Sequence, residues 1–266
     1  MTRAVADSER RGGALRTGPA KSALTNALLR PVHDRNAFEA TVEQLASAVR
    51  LGALVDGSRL PPERELAGRL GVSRATLREA IAALRSAGLV VTTAGRGGGT
   101  TVTYAGEPAD PRRARALRQK APELHDALAF RRVVEPGAAY LAAERQLEKR
   151  SGERLGPDQR DWLKACLAEV TDAPDAMAHR VADSRLHLAI ATLSGSPRLI
   201  EAVTQVQAQV HEMLSAIPVM PRNIEHSSEQ HARIVRAVLA GRPVSARSVM
   251  EEHCDATSAL LRGLLG

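Results

Sequence analysis

Cys166 and Cys254 are the only cysteines among the 266 residues, too few and too far apart for a disulfide framework or a four-cysteine zinc site. Aromatic residues make up 2% of the chain, which argues against the stacking platforms that hold single-stranded nucleic acid. No apolar run approaches the length needed to cross a bilayer. The basic leader has no continuous apolar stretch ahead of a small-residue cleavage site. A cytoplasmic protein without a membrane partner is the expectation. What is present suits a soluble globular chain: 44% hydrophobic residues and a mean hydropathy of -0.20, over a length that accommodates two domains.

The net charge of +7 is unevenly placed. Residues 1–35 hold 7 Lys and Arg against 3 Asp and Glu, residues 36–105 hold 8 against 6, and the remainder 22 against 21. A polyanion-binding N-terminal half followed by a neutral domain has this distribution. Residues 1–35 lack periodicity and read as a mobile basic tail. From there Phe38, Val42, Leu45 and Val49 keep helical spacing, closed by Gly52 and Gly57. Pro61-Pro62 opens a short second helix through Leu66 and Leu70, and Gly71 turns the chain. Ser73 is placed to cap a third helix with an apolar stripe of Leu77, Ala80, Ile81 and Leu84. Leu89–Thr92 and Thr101–Tyr104 read as two strands joined by the loop Gly95–Gly99.

The fold class that follows is mainly α. An N-terminal winged helix-turn-helix of three helices plus a β-hairpin occupies 36–104, a linker 105–121, and an all-helical domain 122–266. Helices are expected near 123–148, 158–172, 175–194, 197–216, 223–240 and 243–264, packed as an antiparallel bundle of about six helices.

Two short helices joined at Gly71 would set the third in a major groove of double-stranded operator DNA, with Ser73, Arg74, Thr76 and Arg78 at its leading end. Arg64 would clamp the backbone and Arg96 would bring charge to the wing tip. Leu60–Leu66, Gly71–Ala80, Gly88-Leu-Val and Gly95-Arg-Gly97 resemble, in order and spacing, the winged helix of GntR-family bacterial transcription regulators. That resemblance implies DNA contacts at Arg64, Ser73, Arg74, Thr76, Arg78, Gly95 and Arg96. It departs at Pro62, where members usually carry a capping Ser.

In the second domain Asp183 and His187 lie four apart on one helix face. His231 lies on the stripe of Ile234, Val235 and Val238, and His253 on that of Ala246, Val249, Met250, Ala256 and Leu260. Three inward imidazoles and a carboxylate suit zinc or another divalent transition metal, nickel and manganese among them. The bland alternative is three separate core histidines, each satisfied by a backbone carbonyl. His179, His211 and His226 fit the pattern less well and read as surface or secondary, His179 being the nearest exception.

The segments Arg131–Pro136, Asp183–His187, His231–Val235 and Met250–His253 resemble the FCD ligand-binding domain of the FadR subfamily. That resemblance implies a divalent ion held by Asp183, His187, His231 and His253 beside a small carboxylate effector. The effector's carboxylate is assigned to Arg131, with Arg132 as the competing choice and an exposed ion pair with Glu135 as the plain alternative for both. Leu186 replaces the more usual Phe, and Ser196, where Asn is common, reads as a helix cap. The function expected is that of a homodimeric transcription regulator, a repressor controlled by the metal-bound acid, and not an enzyme. A metal-dependent enzyme acting on a small organic acid, or a regulator with a metal-free pocket, stands as the alternative.

Overall fold

A computed structural model of the chain describes residues 29, 37–95, 98–104, 111–147, 154–217 and 221–265. Among them are ten helices and one two-stranded antiparallel sheet. The expected basic tail lies outside the described residues apart from Leu29, which is buried.

The N-terminal part follows the pattern of apolar spacing. α1 (Ala37–Arg50) buries Leu45 and Val49 while Phe38, at its open end, stays 37% exposed. α2 (Glu63–Leu70) begins at Pro62, which offers no side-chain cap, and ends at Gly71 with φ 66. The ring of Pro62 fixes a compatible entry angle, so the helix forms without the missing hydroxyl. α3 (Arg74–Ser86) buries Leu77, Ala80, Ile81 and Leu84, and α1 and α2 both pack on it. β1 (Val90–Thr93) pairs with β2 (Gly99–Val102) in the register Val90 to Val102. β2 thus starts two residues before the expected strand, because Gly99 pairs with Thr93 across the hairpin. The Leu60 amide donates to the Thr100 carbonyl and the Val102 amide to the Ser58 carbonyl, covering an edge that would otherwise be open.

The segment read as a linker contains a helix, α4 (Pro111–Arg118). Its Leu117 is buried in an apolar cluster with Leu128, Met213 and Leu261. One buried apolar residue among the described side chains is too little periodicity for a charged stretch to reveal itself as helical.

Behind it stand α5 (Ala121–Leu147), α6 (Pro157–Thr171), α7 (Ala176–Leu193), α8 (Pro197–Ser215), α9 (Pro221–Leu239) and α10 (Pro243–Leu265). The six match the expected helices within a few residues, since Pro, Gly and capping side chains punctuate them. Asp175 caps α7 by accepting from the Met177 and Ala178 amides, and Ser196 caps α8 by accepting from the Leu199 amide. α7 is the centre of the bundle, buried continuously from Ala182 to Ala191. α5, α6 and α8 all pack on it, while α5 also takes α9 and α10 against its length. No helix among the described residues is long and apolar enough to cross a membrane.

Candidate functional site

The leading end of α3 is exposed and basic. Ser73 accepts a hydrogen bond from the Thr76 amide at 3.0 Å, and the two hydroxyls lie 2.8 Å apart. Arg78 donates from Nε to Glu63 at 2.8 Å, while Arg74 stands 3.8 Å from the same carboxylate oxygen. Glu63, at the start of α2, therefore holds both guanidinium groups over one exposed surface, an orientation that a phosphate or base edge can take over. Arg64 is exposed nearby, and Gly95 at the wing tip has φ 98, a conformation that favours glycine. Arg96 lies outside the described residues.

The second site grows from four helices. α7 supplies Asp183 and His187, α9 His231 and α10 His253, all buried. One donor atom from each falls within 4.8 Å of the other three. His231 Nε2 is 3.3 Å from Asp183 Oδ1 and 3.3 Å from His187 Nε2. Ligand bonds of about 2.0–2.1 Å to a shared ion would leave donor atoms roughly 3–3.5 Å apart. The remaining ring nitrogens separate this cluster from three independent core histidines. His187 Nδ1 lies 2.9 Å from Glu135 Oε2 and His253 Nδ1 lies 3.2 Å from Gln230 Oε1. With Nδ1 against these oxygens, His187 turns its Nε2 to His231 and His253 keeps an unpartnered Nε2, the arrangement that outer partners of metal-bound imidazoles impose. His253 Nε2 and His231 Nδ1 are buried without a hydrogen-bond partner, a cost that a bound metal would relieve at the first of them.

Electrostatics agree with neutral imidazoles at His231 and His253 and an ionised carboxylate at Asp183. Burial pulls His231 down to about 4, against the opposing pull of Asp183. Burial likewise holds His253 well below the usual histidine range, with His231 and His187 adding to the shift. Burial alone would raise the Asp183 carboxyl, but His231 and His187 outweigh it and the net shift is downward. Neutral nitrogen and anionic oxygen are the forms that ligate a divalent cation.

α5 supplies the support. Glu135 is 1% exposed, accepts from Arg131 Nε at 3.1 Å and from Gln207, and has His187 Nδ1 2.9 Å from its Oε2. Desolvation is outweighed there by Arg131, His187 and Gln207, which hold the carboxyl far below its ordinary value. Arg131 is also 1% exposed, and its Nη1 has no partner. The ion pair with Glu135 is real, but buried rather than exposed as the sequence had suggested. A partly open cavity beside the cluster is lined by Arg131, His179, Asp183 and His253 among others.

Arg132 is elsewhere. It is exposed and makes a bidentate pair with Asp255 at 2.7 and 3.1 Å, because one residue along α5 is a rotation of about 100° away from the cavity. His179, the expected exception, is buried and joins Asp183 on the cavity wall; His211 is buried rather than at the surface, with Nε2 3.2 Å from the Tyr104 hydroxyl, and His226 is exposed. Gln207, Gln230 and the orienting role of Glu135 are absent from the sequence reading. Lone amide side chains carry no spacing signal; only the position of Gln230 beside His231 hinted at it.

Residues 126–256 match the model of the FCD domain, and residues 38–102 that of the bacterial regulatory proteins of the gntR family. A putative HTH-type transcriptional regulator, RmpR of Mycobacterium gastri, is 34% identical over 218 residues, covering 81% of this chain and 76% of its own length. The putative L-lactate dehydrogenase operon regulatory protein of Escherichia coli is 31% identical over 222 residues, covering 77% and 81%. The solved structure of E. coli McbR/YncC superposes with a TM-score of 0.51 at 22% identity, over 85% of this chain and 97% of that one.

Proposed function

Because the chain belongs to the GntR family of DNA-binding transcription regulators and carries their FCD domain, we propose that it is a homodimeric repressor governed by a small carboxylate bound beside a divalent metal. The winged unit at 36–104 would contact DNA through Arg64, Ser73, Arg74, Thr76, Arg78, Gly95 and Arg96. A dimer would bring two recognition helices to half-sites of a near-palindromic operator. The domain at 122–266 would hold the metal through Asp183, His187, His231 and His253, zinc first and nickel or manganese as alternatives. The ion would supply a positive centre for one carboxylate, and Arg131, already oriented by Glu135, a bidentate donor beside it.

The observation that carries this reading is the convergence of the four donor groups on one another, with two of them, Asp183 and His253, lining the cavity that Arg131 also lines. A relative named for an L-lactate dehydrogenase operon supports a small organic acid as the effector class. Nothing in the relatives' names points to catalysis, and they are regulators. Elemental analysis of the purified native protein tests the metal: near one equivalent of a divalent transition metal is expected. No metal, and no affinity for one in titration, would remove it and leave a metal-free pocket.

A further inference from the structure

The cavity beside Asp183 contains a second guanidinium whose environment differs from that of Arg131. Arg180 lies three residues before Asp183 on α7 and lines the same cavity. Its Nη2 donates to the Ile217 carbonyl at 2.9 Å, and Ile217 is itself part of the wall. Its Nη1 is buried and has no hydrogen-bond partner. Among the described residues no carboxylate pairs with it, whereas Arg131 is matched by Glu135. Desolvation accordingly pulls the Arg180 guanidinium below its usual value, with the Tyr104 hydroxyl offsetting it in part.

A partly buried cation that no acid neutralises is costly unless a ligand supplies the anion. Asp183 is the sole acid on the cavity wall, and the proposed metal would draw on that charge. With Arg131 matched by Glu135, the Arg180 guanidinium and a dication against the Asp183 carboxylate leave an excess of two positive charges, which a dianion balances and a monoanion does not. One arm of Arg180 is pinned and the other free, so it is preorganised for a carboxylate at small entropic cost. Leu214, Ile224 and Leu260 also line the cavity, apolar side chains suited to a short methylene chain.

Resting on the metal-and-acid reading above, we infer that the effector is a small dicarboxylate, with Arg180 binding the carboxylate remote from the metal and Arg131. Arg180 is then the residue that selects diacids over monoacids.

Calorimetric titration of the zinc-loaded full-length protein tests this with matched pairs: malonate against propionate, succinate against butyrate, glutarate against pentanoate. At least one diacid is expected to bind about ten-fold or more tightly than its partner, the scale of a charge-assisted pair. Arg180→Gln should remove that preference and leave monoacid affinity within about two-fold, while Arg180→Lys, which keeps the charge but not the fork, should retain part of it. An unchanged zinc-induced rise in Tm checks that Arg180→Gln is folded. Monoacids binding as tightly as diacids, or Arg180→Gln weakening both classes equally, would overturn the inference alone. Binding of none of the six with zinc retained would overturn the acid-sensor reading with it.

Discussion

Glu135 shows how much of a site can depend on a residue that touches neither the proposed ion nor the cavity. Its carboxylate holds the His187 ring from behind and fixes Arg131 at the same time. Glu135→Gln retains the shape but removes the charge, and it should weaken zinc affinity about 10–100-fold, as loss of an outer-shell partner does; a competitive chelator titration measures it. The histidines add a pH signature in metal-stripped protein. His231 falls to about 4 in the fold from an ordinary 6.5, so the unfolded chain takes up its proton first as pH drops. The stability it contributes is complete above 6.5 and is lost progressively down to about 4, a change on the order of 3 kcal/mol. Urea denaturation at pH 7.5 and pH 4.5 would register it, with the acid sample the less stable. At this scale the sequence was informative where chemistry follows helical spacing: Asp183 and His187 share a face because they are four apart. It was silent where a partner comes from another helix at no fixed distance, as with Gln207 and Gln230. Arg131 and Arg132 were inseparable as letters and are separated by one step of helix rotation.

Elements are placed by their ends as much as by their faces. Ser73 caps α3 from its own hydroxyl, and Ser73→Ala should cost about 1 kcal/mol of stability, read as a lower urea midpoint at unchanged slope. Gly71, Gly88, Gly195 and Gly241 all have positive φ at or beyond helix ends, which is why most helix boundaries were legible in the chain. α4 was not, because Leu117 is the one buried apolar residue among its described side chains and leaves no apolar period. The pairing of residues 58–60 with β2 was not legible either, being a non-local contact with too few residues to form a strand pattern. α7 has the opposite character: buried on every side, it carries ligand residues and supporting contacts together, so a shift along its axis would move Asp183, His187 and Arg180 as one body.

That helix also bears the junction between the two halves of the molecule. Gly52, just past α1, has φ 69, and a Cβ there would meet Val181 Cγ1 at 2.8 Å and the Val181 carbonyl at 3.2 Å. Tyr104, just past the wing, meets His211 of α8 in a second buried contact. The DNA-binding unit thus rests on α7 beside Arg180 and Asp183, a physical route by which an occupied cavity could alter the spacing of recognition helices. Gly52→Ala cannot form this junction without displacement, because the carbonyl is backbone and the φ disfavours a side chain. It should lower stability by about 1–3 kcal/mol and leave operator binding intact but insensitive to acid, as anisotropy with labelled operator would show. The central claim, that an acid at the metal centre sets the grip on DNA, is tested most directly by one such titration at fixed salt. Full-length protein on its selected operator would be compared with and without a bound diacid, in zinc-loaded, metal-stripped and His253→Ala forms. If the acid acts through the metal centre, operator Kd should shift about five-fold or more, the usual range of allosteric coupling, in the zinc-loaded protein alone; the same shift in all three forms, or none in any, would show that it does not.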